Sequence, residues 1–173
     1  MIIILIGYMA SGKSTIGKKL AKKLNYDLID LDDYIEEKEQ LTVTDIFKNK
    51  GEIYFRKQET HYLKQLLSAN ESFILSLGGG TPCFGNNMEL ILNETNAKSI
   101  YLKASLPKLV KKLIKKKAKR PLIAHIETEE ALTEFIGKHL FERSAFYNQA
   151  EVVVATDGKS KKEIVNEIVS RLF

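Results

Sequence analysis

Only one cysteine, Cys83, occurs among the 173 residues. An internal disulfide is therefore excluded, a zinc site has no second thiol, and a reducing compartment is the natural setting for a thiol whose expected role is packing. No apolar run approaches the roughly 18 residues of a transmembrane helix. The opening Met1-Ile2-Ile3-Ile4-Leu5-Ile6 lacks the basic flank of a secretory signal, so it reads as a core strand and the protein as cytoplasmic. Repeats and Ser/Pro/Gly-rich linkers are missing too, which leaves a single domain spanning 1–173 and large enough to bury roughly 70% of its unfolded surface. Between Thr95 and Ile126 there is no acidic residue, whereas Lys108, Lys111, Lys112, Lys115, Lys116, Lys117, Lys119 and Arg120 crowd that span, concentrating a net charge of +5. No aromatic residue interleaves these lysines between Leu102 and Ile126. The stacking platforms of single-strand binders are thus absent, so neither nucleic acid nor membrane is an expected partner, and a polyphosphate explains the charge better.

What is present begins at Gly7-Tyr8-Met9-Ala10-Ser11-Gly12-Lys13-Ser14, which fits G-x-x-x-x-G-K-[ST]. Glycines let the backbone curl so that successive N–H groups face a phosphate, and the following helix directs its positive dipole end inward. Lys13 is placed to reach the β- and γ-phosphates and Ser14 to offer its hydroxyl to Mg²⁺. The apolar run before the loop and the amphipathic pattern after it, with Ile16, Leu20, Ala21 and Leu24 on one face, supply the strand and helix that this motif requires.

Further strands are expected at 27–30, 72–77, 98–102 and 151–156. Helices are expected from about Tyr34, at 42–49 with Thr42 or Thr44 as cap, at 51–67, 87–92, 106–114, 128–147 and 160–172. Five strands alternating with helices imply an α/β three-layer sandwich around a parallel sheet. Asp30-Leu31-Asp32-Asp33 falls at a strand end, where ligands collect in such sheets. Asp30 and Asp32 are read as functional and Asp33 as the N-cap of the next helix, with alternation along an extended segment separating the first two. Gly78-Gly79-Gly80 follows a buried strand and exposes bare backbone to a ligand. Arg56 and Glu59 read by spacing alone as an i,i+3 surface pair, and Arg143 as a complement to a helix dipole.

Together these residues resemble the shikimate kinases, a branch of the nucleoside-monophosphate-kinase-like P-loop proteins, over essentially the full length. The resemblance is carried by Gly7 to Gly17, Asp30-Leu31-Asp32 with Ile35-Glu36, Phe55-Arg56 with Glu59, Leu75-Ser76-Leu77-Gly78-Gly79-Gly80, Arg120-Pro121-Leu122, and Arg143 with Tyr147. It implies strand order 2-3-1-4-5, a monomer, and ATP-dependent phosphorylation of the 3-hydroxyl of shikimate on the route to chorismate and the aromatic amino acids. It also implies a shikimate-binding region at about 31–60 and a lid at about 114–126. Residue by residue, Gly7, Ala10, Ser11, Gly12, Lys13, Ser14, Thr15 and Arg120 would hold ATP, while Ser14, Asp30 and Ser76 would serve Mg²⁺. Asp32, Arg56, Gly78, Gly79, Gly80 and Arg143 would hold shikimate, with Glu59 orienting Arg56 and with Phe47 and Phe55 walling the ring. Lys13, Asp32 and Arg120 would carry catalysis.

An aspartate at its reference pKa of about 3.9 is a weak base, so Asp32 is expected to orient the hydroxyl more than to deprotonate it. Two features depart from the family pattern. Ala10 stands where a glycine is usual, and the arginine and proline that commonly sandwich adenine have no match, since Lys112, Lys115 and Lys116 occupy the first region and 157–160 contains no proline. The alternatives are another small-molecule kinase acting on gluconate or a nucleotide, or a non-catalytic nucleotide-dependent binding module. A GTPase switch is disfavoured because Asn49-Lys50-Gly51-Glu52 ends in Glu where N-K-x-D needs Asp.

Overall fold

The chain enters its first strand at its second residue, and the computed structural model describes residues 1–116 and 122–173. The strands are β1 (Ile2–Ile6), β2 (Asp27–Asp30), β3 (Phe73–Ser76), β4 (Ala97–Lys103) and β5 (Val152–Ala155). The helices are α1 (Lys13–Leu24), α2 (Leu31–Glu39), α3 (Val43–Lys50), α4 (Glu52–Leu67), α5 (Asn87–Asn93), α6 (Leu106–Ile114), α7 (Glu129–Tyr147) and α8 (Lys161–Leu172), with a 3₁₀ turn at Thr81–Cys83. All strand pairs are parallel and the order is β2-β3-β1-β4-β5, as the resemblance implied.

Alternation along β1 builds the three layers. Ile2, Ile4 and Ile6 join the larger core cluster, under α2 to α7, while Ile3 and Leu5 join a second cluster formed with Ile16 and Leu20 of α1 and Ile164, Val165 and Ile168 of α8. All five β1 side chains are fully buried. At roughly 1.5–3 kcal/mol each, they contribute on the order of a tenth of a gross burial term of order 10² kcal/mol. Because β1 lies between β3 and β4, the chain leaves it first to one side and later to the other. The crevice at its C-terminal end is the switch point where α/β sheets bind ligands.

Helix starts follow side-chain caps where the sequence supplies them. Thr42, Ser105, Thr128 and Ser160 each accept from a backbone N–H of the first turn, and Ser160 with Glu163 closes a capping box. Helix α1 differs. Its N-cap is Gly12 at φ 112°, with no side-chain cap bond and no acidic residue in the first turn, so its orphan N–H groups and positive dipole end face the crevice uncovered.

The expected cap of α2 is corrected here. Asp30, not Asp33, caps α2: its side chain accepts from the Asp32 N–H at 3.1 Å. The reason is packing, since Leu31 and Ile35, one turn apart, are both fully buried, which pulls the helix start three residues earlier than Tyr34. Asp32 consequently stands on the first helical turn rather than on an extended segment. The Ala10 backbone has φ +63°, in the left-handed region, so its methyl is accommodated only with strain. A left-handed alanine costs roughly 1–2 kcal/mol. Ala10→Gly is accordingly expected to stabilise the fold by about 1 kcal/mol, raising Tm by about 2–4 °C for a chain of this size. Denaturant titration checks this, and an unchanged or lowered midpoint would contradict it.

Candidate active site

At the C-terminal ends of β1, β2 and β3 a cleft of about 810 Å³ opens, lined by Met9, Ala10, Gly12, Lys13, Ser14, Thr15, Asp30, Asp32, Ser76, Leu77, Gly78 and Gly79. Its far wall is cationic: Lys108, Lys111, Lys112, Lys115 and Lys116 come from α6 and the segment after it, and Lys161 from α8. Two of these lysines are tied to backbone. The Lys112 ammonium donates to the Ala10 carbonyl at 3.1 Å and that of Lys108 to the Thr156 carbonyl. Arg120 and the centre of the expected lid fall outside the described residues.

In the P-loop the Lys13 ammonium donates to the Gly7 carbonyl at 2.7 Å and the Tyr8 carbonyl at 3.2 Å, so the loop itself fixes the lysine across its mouth. A Cβ at Gly7, whose φ is +154°, would lie 2.7 Å from the Ser11 hydroxyl. Asp30 and Ser76 are register partners at the ends of β2 and β3, which places a carboxylate and a buried hydroxyl side by side next to the P-loop. Asp30 uses Oδ1 on its helix cap. With Ser14 these groups form an all-oxygen donor set carrying one carboxylate, which suits Mg²⁺, a hard ion that keeps several waters and takes its remaining ligands from phosphates.

Asp32 faces the glycine loop: its Oδ1 lies 3.2 Å from where a Gly78 Cβ would stand, and it is buried with no hydrogen-bond partner among the described residues. Burial, reinforced by the charges of Asp30 and Glu59 and opposed by Lys13, pushes its carboxyl up to about 7. That corrects the expectation of a weak base drawn from the reference value: in the free protein this aspartate titrates near neutrality.

The three glycines gather the rest. A Gly79 Cβ would stand 3.2 Å from a terminal nitrogen of Arg143 and 3.6 Å from the Gly7 carbonyl, and a Gly80 Cβ would stand 2.6 Å from both terminal nitrogens of Arg56. Any side chain at Gly80 would therefore push the guanidinium aside. The two arginines, far apart in sequence, thus meet consecutive residues of one loop, and that loop abuts the P-loop.

The Arg56–Glu59 pair proves to be part of the interior rather than a surface pair. Arg56 donates to Glu59 at 2.6 Å, and Glu59, 1% exposed, accepts a second bond from the Thr81 hydroxyl at 2.5 Å. Asn87 continues the network by donating to the Thr81 carbonyl at 2.8 Å. The spacing gave no sign of Thr81 or Asn87, because nothing local distinguishes a buried network from a turn and a helix start. Arg143 makes no ion pair among the described residues, and its guanidinium lies 5.8 Å from the Tyr8 ring centre. Phe47 and Phe55 pack at 4.8 Å beside Arg56, so an apolar wall adjoins a cation. Tyr147 donates to the Gly79 carbonyl at 2.5 Å and pins the loop to α7.

A phosphate cradle at the switch point of a parallel sheet, with carboxylates beside it and two guanidiniums meeting the adjoining glycine loop, defines a P-loop kinase that acts on a small molecule. The family model for shikimate kinase matches residues 9–173. The chain belongs to the shikimate kinase family. It is 47% identical over 171 residues to the shikimate kinase of Flavobacterium psychrophilum, covering 99% of this chain and 98% of that one. Among solved structures it is similar to the shikimate kinase of Bacteroides thetaiotaomicron, with 34% identity, a TM-score of 0.89, and 99% and 98% of the two chains covered. A second, the Acinetobacter baumannii shikimate kinase in complex with shikimate, has 28% identity and a TM-score of 0.84 over 99% and 92% of the chains.

Proposed function

We propose that this protein transfers the γ-phosphoryl group of ATP to the 3-hydroxyl of shikimate, giving shikimate 3-phosphate and ADP, and that it does so as a cytoplasmic monomer of one domain spanning 1–173. The observation that carries this reading is the convergence of Arg56 and Arg143 on Gly80 and Gly79, with Gly79 against the P-loop carbonyl of Gly7. A small carboxylic acid bearing several hydroxyls needs planar bidentate cations at one end and backbone donors along its ring, and the region at about 31–60 together with the glycine loop offers both.

In this reading the substrate carboxylate lies on Arg56 and Arg143, the N–H groups of Gly78, Gly79 and Gly80 bind ring hydroxyls, and Phe47 and Phe55 wall the ring. Glu59, held by Thr81, keeps Arg56 in place. The attacking hydroxyl donates its proton toward Asp32 Oδ1, which has no other partner among the described residues. Gly7, Ala10, Ser11, Gly12, Ser14 and Thr15 surround the phosphates with the N-terminus of α1, and Lys13 places its charge on the transferring oxygens. Ser14, Asp30 and Ser76 would hold Mg²⁺, which supplies neutralisation of the charge spread over the phosphate oxygens. Arg120, on the lid at about 114–126, would add a further cation as water leaves.

Shikimate, gluconate and AMP offered separately with MgATP, with ADP release followed, test the reading. Turnover is expected with shikimate alone. Turnover with gluconate or AMP and none with shikimate would overturn it, and nucleotide binding without turnover would favour a non-catalytic module.

A further inference from the structure

Helix α7 presents His139, Arg143 and Tyr147 at i, i+4 and i+8, one stripe along a single face. Each member meets the cleft wall. Tyr147 holds the Gly79 carbonyl, Arg143 reaches the Gly79 position, and His139 Nδ1 lies 2.9 Å from the hydroxyl of Tyr8, the second residue of the P-loop. The Tyr8 side chain is 1% exposed and its ring stands edge-on to His139 at 5.5 Å, so this contact is fixed inside the protein. The Arg143 guanidinium lies over the same Tyr8 ring, 5.8 Å from its centre. The phosphate loop and the helix that carries the acid-binding arginine are thus joined by one hydrogen bond between side chains.

We propose that His139 is a positioning residue that acts through Tyr8 to hold Arg143 over the substrate's carboxylate site, and that occupation of that site draws a proton onto the imidazole. The inference rests on the functional reading above. The charged groups acting on His139 are Arg143 and Glu142 of its own helix and Arg56 of α4, and the P-loop side presents the Tyr8 hydroxyl. Burial, helped by Arg143 and Arg56 and opposed by Glu142, holds the imidazole below its ordinary pKa. Burial also lifts the Tyr8 phenol to about 12, so Tyr8 keeps its proton and donates to neutral Nδ1. A carboxylate arriving between the two guanidiniums cancels the field that opposes protonation. Proton affinity then rises, and Tyr8 can turn its hydroxyl to accept from the imidazolium. Below the usual histidine range, shikimate binding must therefore take up protons.

Titration calorimetry of shikimate at about pH 6, a little below the reference histidine value, in two buffers of different ionisation heat, reads this directly. The intact protein should take up a fraction of a proton per shikimate more than His139→Leu does, a difference in which any exchange at Asp32 cancels. His139→Leu should lose that uptake and raise the shikimate KM by about 3- to 10-fold, the worth of one hydrogen bond. His139→Gln, whose amide oxygen can still accept from Tyr8, should restore KM but not proton uptake. Equal proton exchange by the intact protein and His139→Leu, or an unchanged KM in His139→Leu, overturns the inference while leaving the proposed function intact. No shikimate binding by the intact protein would instead overturn the functional reading, and this inference with it.

Discussion

Asp32→Asn is expected to lower kcat by about 10²- to 10⁴-fold, the usual range for a positioned proton acceptor, and at the same time to make the folded protein more stable above neutral pH. The two effects share one cause. The Asp32 carboxyl sits among Asp30, Glu59 and buried backbone, and its pKa rises from 3.8 to about 7. A raised carboxyl pKa means that the native state binds the proton more tightly than the unfolded chain does. Stability from this group is therefore greatest below about pH 4, declines as pH rises through the window from about 4 to 7, and is a constant penalty above it. The asymmetry is worth up to about 4 kcal/mol at about 1.4 kcal/mol per pKa unit. Asparagine removes the titration without changing the shape of the side chain. Denaturant midpoints should thus favour the variant at about pH 8 and converge toward the parent at about pH 4. A variant that loses stability at high pH, or keeps full turnover, would remove Asp32 from the role assigned to it. A site that is less stable than it need be is the ordinary signature of function.

Arg143→Ala is expected to raise the KM for shikimate by about 10- to 100-fold, from two lost charge-assisted bonds at about 1.5–3 kcal/mol each less what water restores. The KM for ATP should stay within about twofold, because the lost charge faces the acid site. This residue gives a cleaner test than Arg56. Arg143 has no ion pair among the described residues, so its removal strands no internal charge. Removing Arg56 would instead leave the buried Glu59 without its cation, at a cost of about 3–5 kcal/mol. Equal rises in both KM values for Arg143→Ala would mean that the guanidinium supports the fold of the cleft rather than the acid.

How far the sequence discloses this site depends on whether its parts are contiguous. The P-loop is legible because a phosphate is gripped by consecutive backbone groups, which fixes residue types at fixed spacing. The strands are legible because a sheet buried on both faces needs unbroken apolar runs such as Ile2 to Ile6. The meeting of Arg56 with Arg143 is a tertiary event, and three glycines announce only that something approaches the backbone. The family resemblance supplied those arginines, and physical pattern alone left them as a surface pair and a dipole complement. Asp32 shows a different limit. Its position near a strand end was readable, whereas its helical geometry followed from burial of Leu31 and Ile35, and its proton affinity from its own burial first and then from Asp30 at the end of β2 and Glu59 of α4. The Tyr8–His139 bond left no local signature at all, and Ala10 was marked only by the glycine usual at its place in the family.

A crystal structure of the protein with shikimate and ADP tests the central claim most directly. The account predicts the shikimate carboxylate between the Arg56 and Arg143 guanidiniums, ring hydroxyls on Gly78 to Gly80, and the 3-hydroxyl within hydrogen-bond reach of Asp32 on the side facing the P-loop. A shikimate molecule bound away from the glycine loop, or with its carboxylate on neither guanidinium, would contradict it.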